Sequence, residues 1–197
     1  TAVTGTKGKT STAFLAAQFF EFQGFSVGML GSKYNRIMKK KYESFLTTPK
    51  IDYIYAFLHE CFLQNVTHVV IEVAAQALTM QRILGLTFDQ IIFTNFGNEH
   101  GEFYTTQEEY FIAKKNLLNY LKPQGVALLN GDDEKVSSLI NDIEFKDKNI
   151  IMYGQNKTNL VQFCATQLLF YGSSFEVDFG NGERYFFKTV LHGIHMI

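Results

Sequence analysis

Cysteine, net charge and long apolar runs are all scarce in this chain. The two cysteines, Cys61 and Cys164, stand far apart among apolar neighbours and form no CxxC pair. That excludes a disulfide framework or a thiolate metal site, and both are expected to be buried free thiols of a reducing cytosol. Charged residues make up 19% of the 197, with a formal net charge of -1, so no global field draws the chain to nucleic acid or to an anionic membrane. The run Lys39-Lys40-Lys41 is expected to be a solvated loop rather than a binding patch. No window approaches the roughly eighteen uninterrupted apolar residues of a membrane span. An initiating Met, a signal-peptide pattern, an internal repeat and a low-complexity linker are absent as well. The chain starts abruptly in an apparent strand, as expected of a piece of something longer. What is plentiful is apolar surface: 46% of residues are hydrophobic, enough for one sizeable folded domain, or one with a small appendage.

Helical and strand-like segments alternate over the first three quarters of the sequence, the pattern of an α/β fold with a mostly parallel sheet covered by helices on both faces. Strands are expected at Ala2-Val3, 25–30, 67–73, 88–94, 126–129 and 149–153. Helices are expected from Lys9 to Phe22, over 52–64, over 75–84 and over 107–121. Gly24 stops the first, and Pro123 and Gly125 close the last. Thr105-Thr106-Gln-Glu108-Glu109 offers that last helix a capping box. The stretch 31–50 reads as a polar loop ending in Thr47-Thr48-Pro49. From Leu160 onward strand follows strand, and Gly180-Asn181-Gly182 signals a hairpin between 175–179 and 184–191, a small antiparallel segment near the C-terminus.

The densest chemistry lies in Thr4-Gly5-Thr6-Lys7-Gly8-Lys9-Thr10-Ser11. Gly5 and Gly8 allow a tight turn with N–H groups pointing at a phosphate, and the helix starting near Lys9 adds a positive dipole end. Lys9 can reach the outer phosphates and the Thr10 hydroxyl suits magnesium. The full nucleotide-binding pattern would have glycine where Val3 stands. The apolar strand before the loop and apolar helix after it nevertheless favour a strand–phosphate loop–helix unit over a plain turn.

Other candidates gather around that loop. Glu72 ends its strand as a lone carboxylate at the carboxyl edge of the sheet, facing the crevice where nucleotides sit; its plain alternative is a capping or exposed acid. Thr10 with Glu72 is a sufficient protein share for magnesium, which keeps several waters. At about 100° per residue, Lys114 falls within the apolar stripe of Tyr110, Ala113, Leu117, Leu118 and Leu121. A lysine there must snorkel, pair with an acid or be chemically altered. His100, in a loop after a strand, occupies a place where a metal ligand or an acid–base group is useful. The tract Asn130-Gly-Asp132-Asp133-Glu134 could contact a ribose or base, or simply cap a helix.

The motifs VTGTKGKTS, TTP, IEVAAQAL…R..G..FD..IFTN, EH, the Y..AK..L helix, LNGDDE and LHGIH, in this order and spacing, resemble the central ATP-binding domain of the Mur ligases. Among these the likeness is to the ligases that add the third amino acid to UDP-N-acetylmuramoyl-dipeptide. It implies that residues 1–191 are the central domain and 192–197 the start of a hinge. The family's N-terminal UDP-binding and C-terminal amino-acid-binding domains lie outside the chain. Such enzymes, cytoplasmic and part of peptidoglycan synthesis, use ATP and magnesium to activate a carboxylate as an acyl phosphate, which an amine attacks to give an amide.

The resemblance assigns Gly5, Thr6, Lys7, Gly8, Lys9, Thr10 and Ser11 to nucleotide phosphate and Glu72 to the first magnesium. It assigns His100 to a second magnesium and makes Lys114 a carbamylated lysine of the metal site. Thr47, Thr48 and Arg82 would contact the UDP-muramoyl substrate, and Asn130 and His195 would lie near adenine. The chain departs from the family at Ala74-Ala75-Gln76, where Ser-Ser-His is usual. Glu99 replaces an aspartate, Gly101-Glu102-Phe103-Tyr104 replaces Leu-Asp-Tyr-His, and Met196 replaces a common asparagine. Two other functions therefore stay open: a folylpolyglutamate-synthase-like ligase and a non-catalytic, ATP-binding regulatory paralogue.

Overall fold

The computed structural model describes residues 1–98 and 103–190. The chain divides into two compact units, one of residues 1–127 with 147–149 and one of residues 128–146 with 150–197.

The first unit contains β1 (Ala2–Thr4), α1 (Lys9–Phe22), β2 (Val27–Leu30), β3 (Asn35–Ile37), β4 (Lys40–Tyr42), α2 (Ile51–Leu63), β5 (His68–Glu72), α3 (Ala75–Thr79), β6 (Phe88–Phe93), α4 (Gln107–Lys115) and the first part of β7 (Leu121–Asn130). Its strands run in the order β7-β6-β1-β5-β2-β3-β4. β6, β1, β5 and β2 are mutually parallel, while β3 and β4 are antiparallel to their neighbours. The helices cover both faces, as the alternation of segments implies. Ala13 and Ala17 of α1 pack on Val3, Val27, Met29 and Val70. The intervening Gly28 faces α2, where an added Cβ would come within 2.8 Å of Cys61 Sγ and 3.3 Å of the Phe57 ring. Because successive strand residues point to opposite faces, the two helices lie on opposite sides of the sheet. All the parallel strands therefore end at one edge, and it carries the loop that follows β1.

In the second unit, α5 (Glu134–Ser137) is followed by β8 (Asn149–Gly154), β9 (Val161–Leu169), β10 (Gly172–Asp178) and β11 (Arg184–Thr189). β8 and β9 are parallel, and β9, β10 and β11 form the expected antiparallel ribbon. The last two strands are joined through Gly180 and Gly182, both at positive φ.

Several expected elements differ. The stretch 31–50 is not all loop, because β3 and β4 form a hairpin on the edge of β2. Its polar residues hid it: Asn35 and Arg36 are buried, the latter by bidentate pairing with Glu21, and no local pattern reveals that partner. Lys40 and Lys41 accordingly sit in a strand. The helix at 75 ends at Thr79 and gives way to a turn with Gln81 at φ 54. The helix at 107 keeps its capping box between Thr106 and Glu109, but stops at Lys115 and tightens into a 3₁₀ turn over Asn116–Tyr120. Pro123 and Gly125 do not close that helix; they lie in β7. At Gly125 a Cβ would meet Asp89 O at 2.8 Å, a close approach that only glycine allows. Cys61 is buried as expected, but Cys164 is exposed: its apolar neighbours belong to an open β-ribbon, not to a core.

Candidate functional site

The loop between β1 and α1 is shaped by its glycines and held by β6. Gly5 adopts φ 144, which side-chain-bearing residues avoid, and a Cβ there would lie 2.0 Å from Thr94 Oγ1. Thr94 Oγ1 donates to Lys7 O (2.6 Å). Asn95 grips the same residue twice: its Oδ1 accepts from Lys7 N (2.9 Å) and its Nδ2 donates to Lys7 O (3.1 Å). Gly8, at φ 82, is the N-cap of α1; no side chain caps it and no acid stands in the first turn. The fourteen-residue helix thus presents its first-turn amides and dipole to an incoming anion.

Two cations converge on this loop. Lys9 Nζ donates to Gly5 O (2.8 Å) and Thr6 O (3.0 Å), curled against the carbonyls of the turn it would leave for a phosphate. Lys114 Nζ reaches Gly5 O from α4, also at 2.8 Å, and lies 4.4 Å from the centre of the Tyr110 ring. Its residue is only 1% exposed. Lys114 therefore does not snorkel: the inward stripe delivers it to the glycine loop across 109 residues of sequence.

An anion is buried beside them. Glu72, fully buried at the end of β5, accepts from Thr10 Oγ1 (2.9 Å), from Ser32 N (3.0 Å) and from Ser32 Oγ (3.1 Å). No Lys or Arg side chain pairs with it among the described residues. A buried carboxylate held only by neutral donors is costly, and a divalent cation between Glu72 and the Thr10 hydroxyl would offset that cost with the hard-oxygen chemistry magnesium prefers. Gly31 makes room for this carboxylate, since a Cβ there would lie 2.2 Å from Glu72 Oε1.

Ser32 also bonds Thr47 Oγ1 (3.0 Å), tying the Thr47-Thr48 loop to the same centre. Thr48 is buried; its hydroxyl donates to Glu72 O (2.8 Å) and accepts from Ala74 N (2.9 Å), and its carbonyl accepts from Arg82 Nη1 (3.0 Å). Thr48 and Arg82 thus brace the ends of β5 and α3 here. Ala74, the N-cap of α3, offers no side-chain oxygen.

The sequence reading missed Ser32, Thr94 and Asn95, although IFTN lay within its motif set; only Thr94 and Asn95 left a signal, as polar residues directly after an apolar strand. Gly5, Thr6, Lys7, Gly8, Lys9, Thr10, Glu72, Thr47, Thr48, Arg82 and Lys114 come together within the first unit. Ser11 follows in the first turn of α1. Asn130 lies in the second unit, where its Oδ1 accepts from Asp132 N (2.9 Å). In the same tract Asp133 caps α5 through Val136 N (3.0 Å), the plain alternative for that segment. His100 and His195 lie outside the described residues.

Residues 3–197 match the Mur ligase middle domain. The chain belongs to the Mur ligase family. Among relatives of this Mur ligase domain, the UDP-N-acetylmuramoyl-L-alanyl-D-glutamate--2,6-diaminopimelate ligase of Chlorobium phaeobacteroides is 34% identical over 141 residues, which cover 72% of this chain and 28% of that enzyme. The chain thus spans well under half of the curated relative it matches. A solved structure of a UDP-N-acetylmuramoyl-L-alanyl-D-glutamate--2,6-diaminopimelate ligase superposes with a TM-score of 0.85 at 24% identity, over 98% of the Mur ligase domain and 39% of that chain. Folylpolyglutamate synthase of Mycobacterium tuberculosis, solved with ADP and AMPPCP, superposes with a TM-score of 0.74 at 16% identity, over 99% and 51%. These two likenesses are of fold, and they bear out the expected mostly parallel α/β architecture with its antiparallel segment.

Proposed function

We propose that this domain is the ATP-binding centre of a ligase that joins a UDP-N-acetylmuramoyl peptide to an amino acid. The observation that carries the reading is the convergence of Lys9, Lys114, Thr10 and the buried Glu72 on one glycine loop. The substrate class rests on the relative's name and on the Thr47-Thr48 loop being tied to Glu72 through Ser32.

In this mechanism the loop amides and the start of α1 bind the β- and γ-phosphates of ATP, and Lys9 swings from the loop carbonyls onto the outer phosphates. Thr10 and Glu72 would hold a magnesium ion, which when bound would neutralise phosphate charge. An oxygen of the substrate carboxylate attacks the γ-phosphorus, the bond to the β-phosphate oxygen breaks, and ADP leaves. The amine nitrogen of the amino acid then attacks the acyl carbon, phosphate departs, and the amine's proton passes to a base. Lysine charge near the transferring oxygens favours the first step electrostatically. Lys114 is read as carbamylated in the working enzyme, where the carbamate would give the metal site an anionic oxygen group. His100 is assigned to a second magnesium, and Asn130 and His195 to the adenine side. The domains that supply UDP and amino-acid contacts belong to the rest of such an enzyme, and the reaction is read as cytoplasmic.

The intact protein, given ATP, magnesium, a UDP-muramoyl dipeptide and candidate amino acids, should release ADP and phosphate only when acid and amine are both present. ADP release that ignores the acid would overturn the reading. Ala74-Ala75-Gln76, in place of Ser-Ser-His, keeps one competing reading open, a γ-glutamyl-type ligase; the same screen run with folyl substrates separates the two.

A further inference from the structure

The amino edge of the parallel sheet, opposite the phosphate loop, gathers features that the ligase reading does not use. α1 and α2 both run from the loop edge to this edge, one on each face of the sheet, and end at Phe22 and Leu63. The turn between β3 and β4 arrives at the same level, since Met38 N donates to Val27 O at the start of β2 (2.8 Å). Ser26 stitches the two helix exits together there, its Oγ donating to Asn65 O (2.8 Å) and its carbonyl accepting from Thr67 N (3.0 Å).

Large apolar side chains stand in solvent along this edge. Phe22 is 88% exposed and Phe62 77%, with Phe19, Phe25 and Leu63 exposed beside them. On α1 the stripe Leu15, Phe19 and Phe22 follows i, i+4, i+7 spacing, yet it faces away from the core that Ala13 and Ala17 make. On the hairpin that turns at this edge, Lys39, Lys40 and Lys41 form a basic run, and among the described residues none of the three has a carboxylate partner. Lys40 and Lys41 lie over the rings of Tyr42 and Tyr34. Of the other charged groups at the edge, Glu21 pairs with Arg36 and Asp89 with Lys122, the N-terminal ammonium of Thr1 donates to Val69 O, and Glu60 accepts from the neutral Gln64 amide and keeps its charge. The titratable rings are His59, exposed, and His68, set between Phe20 and Phe25.

We propose that this edge is a docking surface for an anionic lipid bilayer. Three lysines without a carboxylate partner among the described residues supply charge complementarity to anionic headgroups, and protruding phenylalanines supply groups that bury at the headgroup–acyl boundary. A protein partner would be met by a patch that lines a shared surface. Here Phe22 and Phe62 project from opposite faces of the sheet with the lysines alongside, an arrangement suited to a flat fluid surface that each tip enters separately. The docked orientation leaves the phosphate-loop edge turned away from the membrane and open to soluble substrates. The expectation from composition, that a net charge of -1 excludes membranes, concerns the whole chain; the hairpin concentrates its charge locally.

The test is sedimentation of the intact protein with vesicles of phosphatidylcholine alone or mixed with phosphatidylglycerol. The mixed vesicles should carry the protein down and the neutral ones should not, and salt should weaken the binding. Replacing all three lysines (Lys39→Gln, Lys40→Gln, Lys41→Gln) should weaken it about 100-fold, from about tenfold or less per lysine near the surface. The pair Phe22→Ser with Phe62→Ser should weaken it too while keeping its salt dependence. Thermal melting of each variant checks that it folds. Absence of binding to the mixed vesicles overturns the proposal, as does unchanged binding by the lysine variant. Soluble polyglutamate bound as tightly as the vesicles, with the phenylalanine variant indifferent, would mark the edge as a site for an acidic protein and would equally overturn it.

Discussion

At the carboxyl edge of the sheet, polar groups are buried and bonded: Glu72 to Thr10 and Ser32, Thr48 to Glu72 and Ala74, Lys114 to Gly5. At the amino edge, Phe22 and Phe62 stand in water, and Lys39, Lys40 and Lys41 have no carboxylate partner among the described residues. The same strands and helices bound both edges, so their propensities cannot account for the contrast. A buried polar group is tolerated only where partners meet it, and the carboxyl edge meets this demand with loops arriving from four strands. What that edge gains is preorganised charge for a ligand, and what it gives up is tolerance to substitution. At the amino edge the buried Arg36 meets the same demand through Glu21, but the exposed tips Phe22 and Phe62 carry no such demand and are free to change with little consequence for the fold.

The contrast breaks most sharply at the lysines of the loop. Lys9→Ala should lower ATP turnover by roughly 10²-fold or more, as expected for removal of a transition-state charge, and leave the melting temperature nearly unchanged, because the side chain contributes little packing. Turnover at the parent rate would remove the loop from the mechanism. Lys114→Ala should abolish activity, with partial rescue by added short carboxylates, whereas Lys115→Ala should matter much less; normal activity in the Lys114 variant would discard the carbamate.

Beneath the site, the fully buried Leu117 carries the turn after α4, and Leu117→Ala should cost roughly 2–5 kcal/mol in denaturant unfolding. Unchanged unfolding would mean that this turn is not part of the core.

Neighbouring residues near the end of α2 sharpen the comparison further. Burial, with a smaller contribution from the nearby Glu60 carboxylate, pushes the Cys61 thiol from 9.0 up to about 11. A folded-state value raised above the unfolded one gives a contribution that is whole below pH 9.0 and is lost as pH rises through about 11. Stability should therefore decline across that window, and Cys61→Ala should flatten the decline. In a thiol-reagent titration at neutral pH, Cys164 should react at once and Cys61 only on unfolding. One residue on, Phe22's counterpart Phe62 is exposed. Phe22→Ser and Phe62→Ser should each move stability by no more than about 0.5 kcal/mol; a larger loss by calorimetry would show that the amino edge is core after all.

Much of this was legible in the chain. The glycine loop, the apolar strand before it, the Thr106–Glu109 capping box and the inward lysine all follow from local spacing, because turn geometry, capping and helical periodicity act over a few residues. Ser32 was not legible, since a serine in a polar loop carries no sign that a carboxylate forty residues away will accept from it. The β3–β4 hairpin was hidden for the same reason, its burial depending on Glu21 in another element.

Sequence alone determined that a glycine loop joins a strand to a helix, that Glu72 ends a strand, and that Lys114 faces inward, since each is a matter of local periodicity and of backbone freedom at Gly5 and Gly8. Only the tertiary structure decided that Lys114 and Lys9 share the Gly5 carbonyl, that Ser32 joins Glu72 to Thr47, and that the hairpin lysines and the exposed phenylalanines share one edge. Those are distances between segments far apart in the chain, set by strand order and by the faces on which the crossover helices pack.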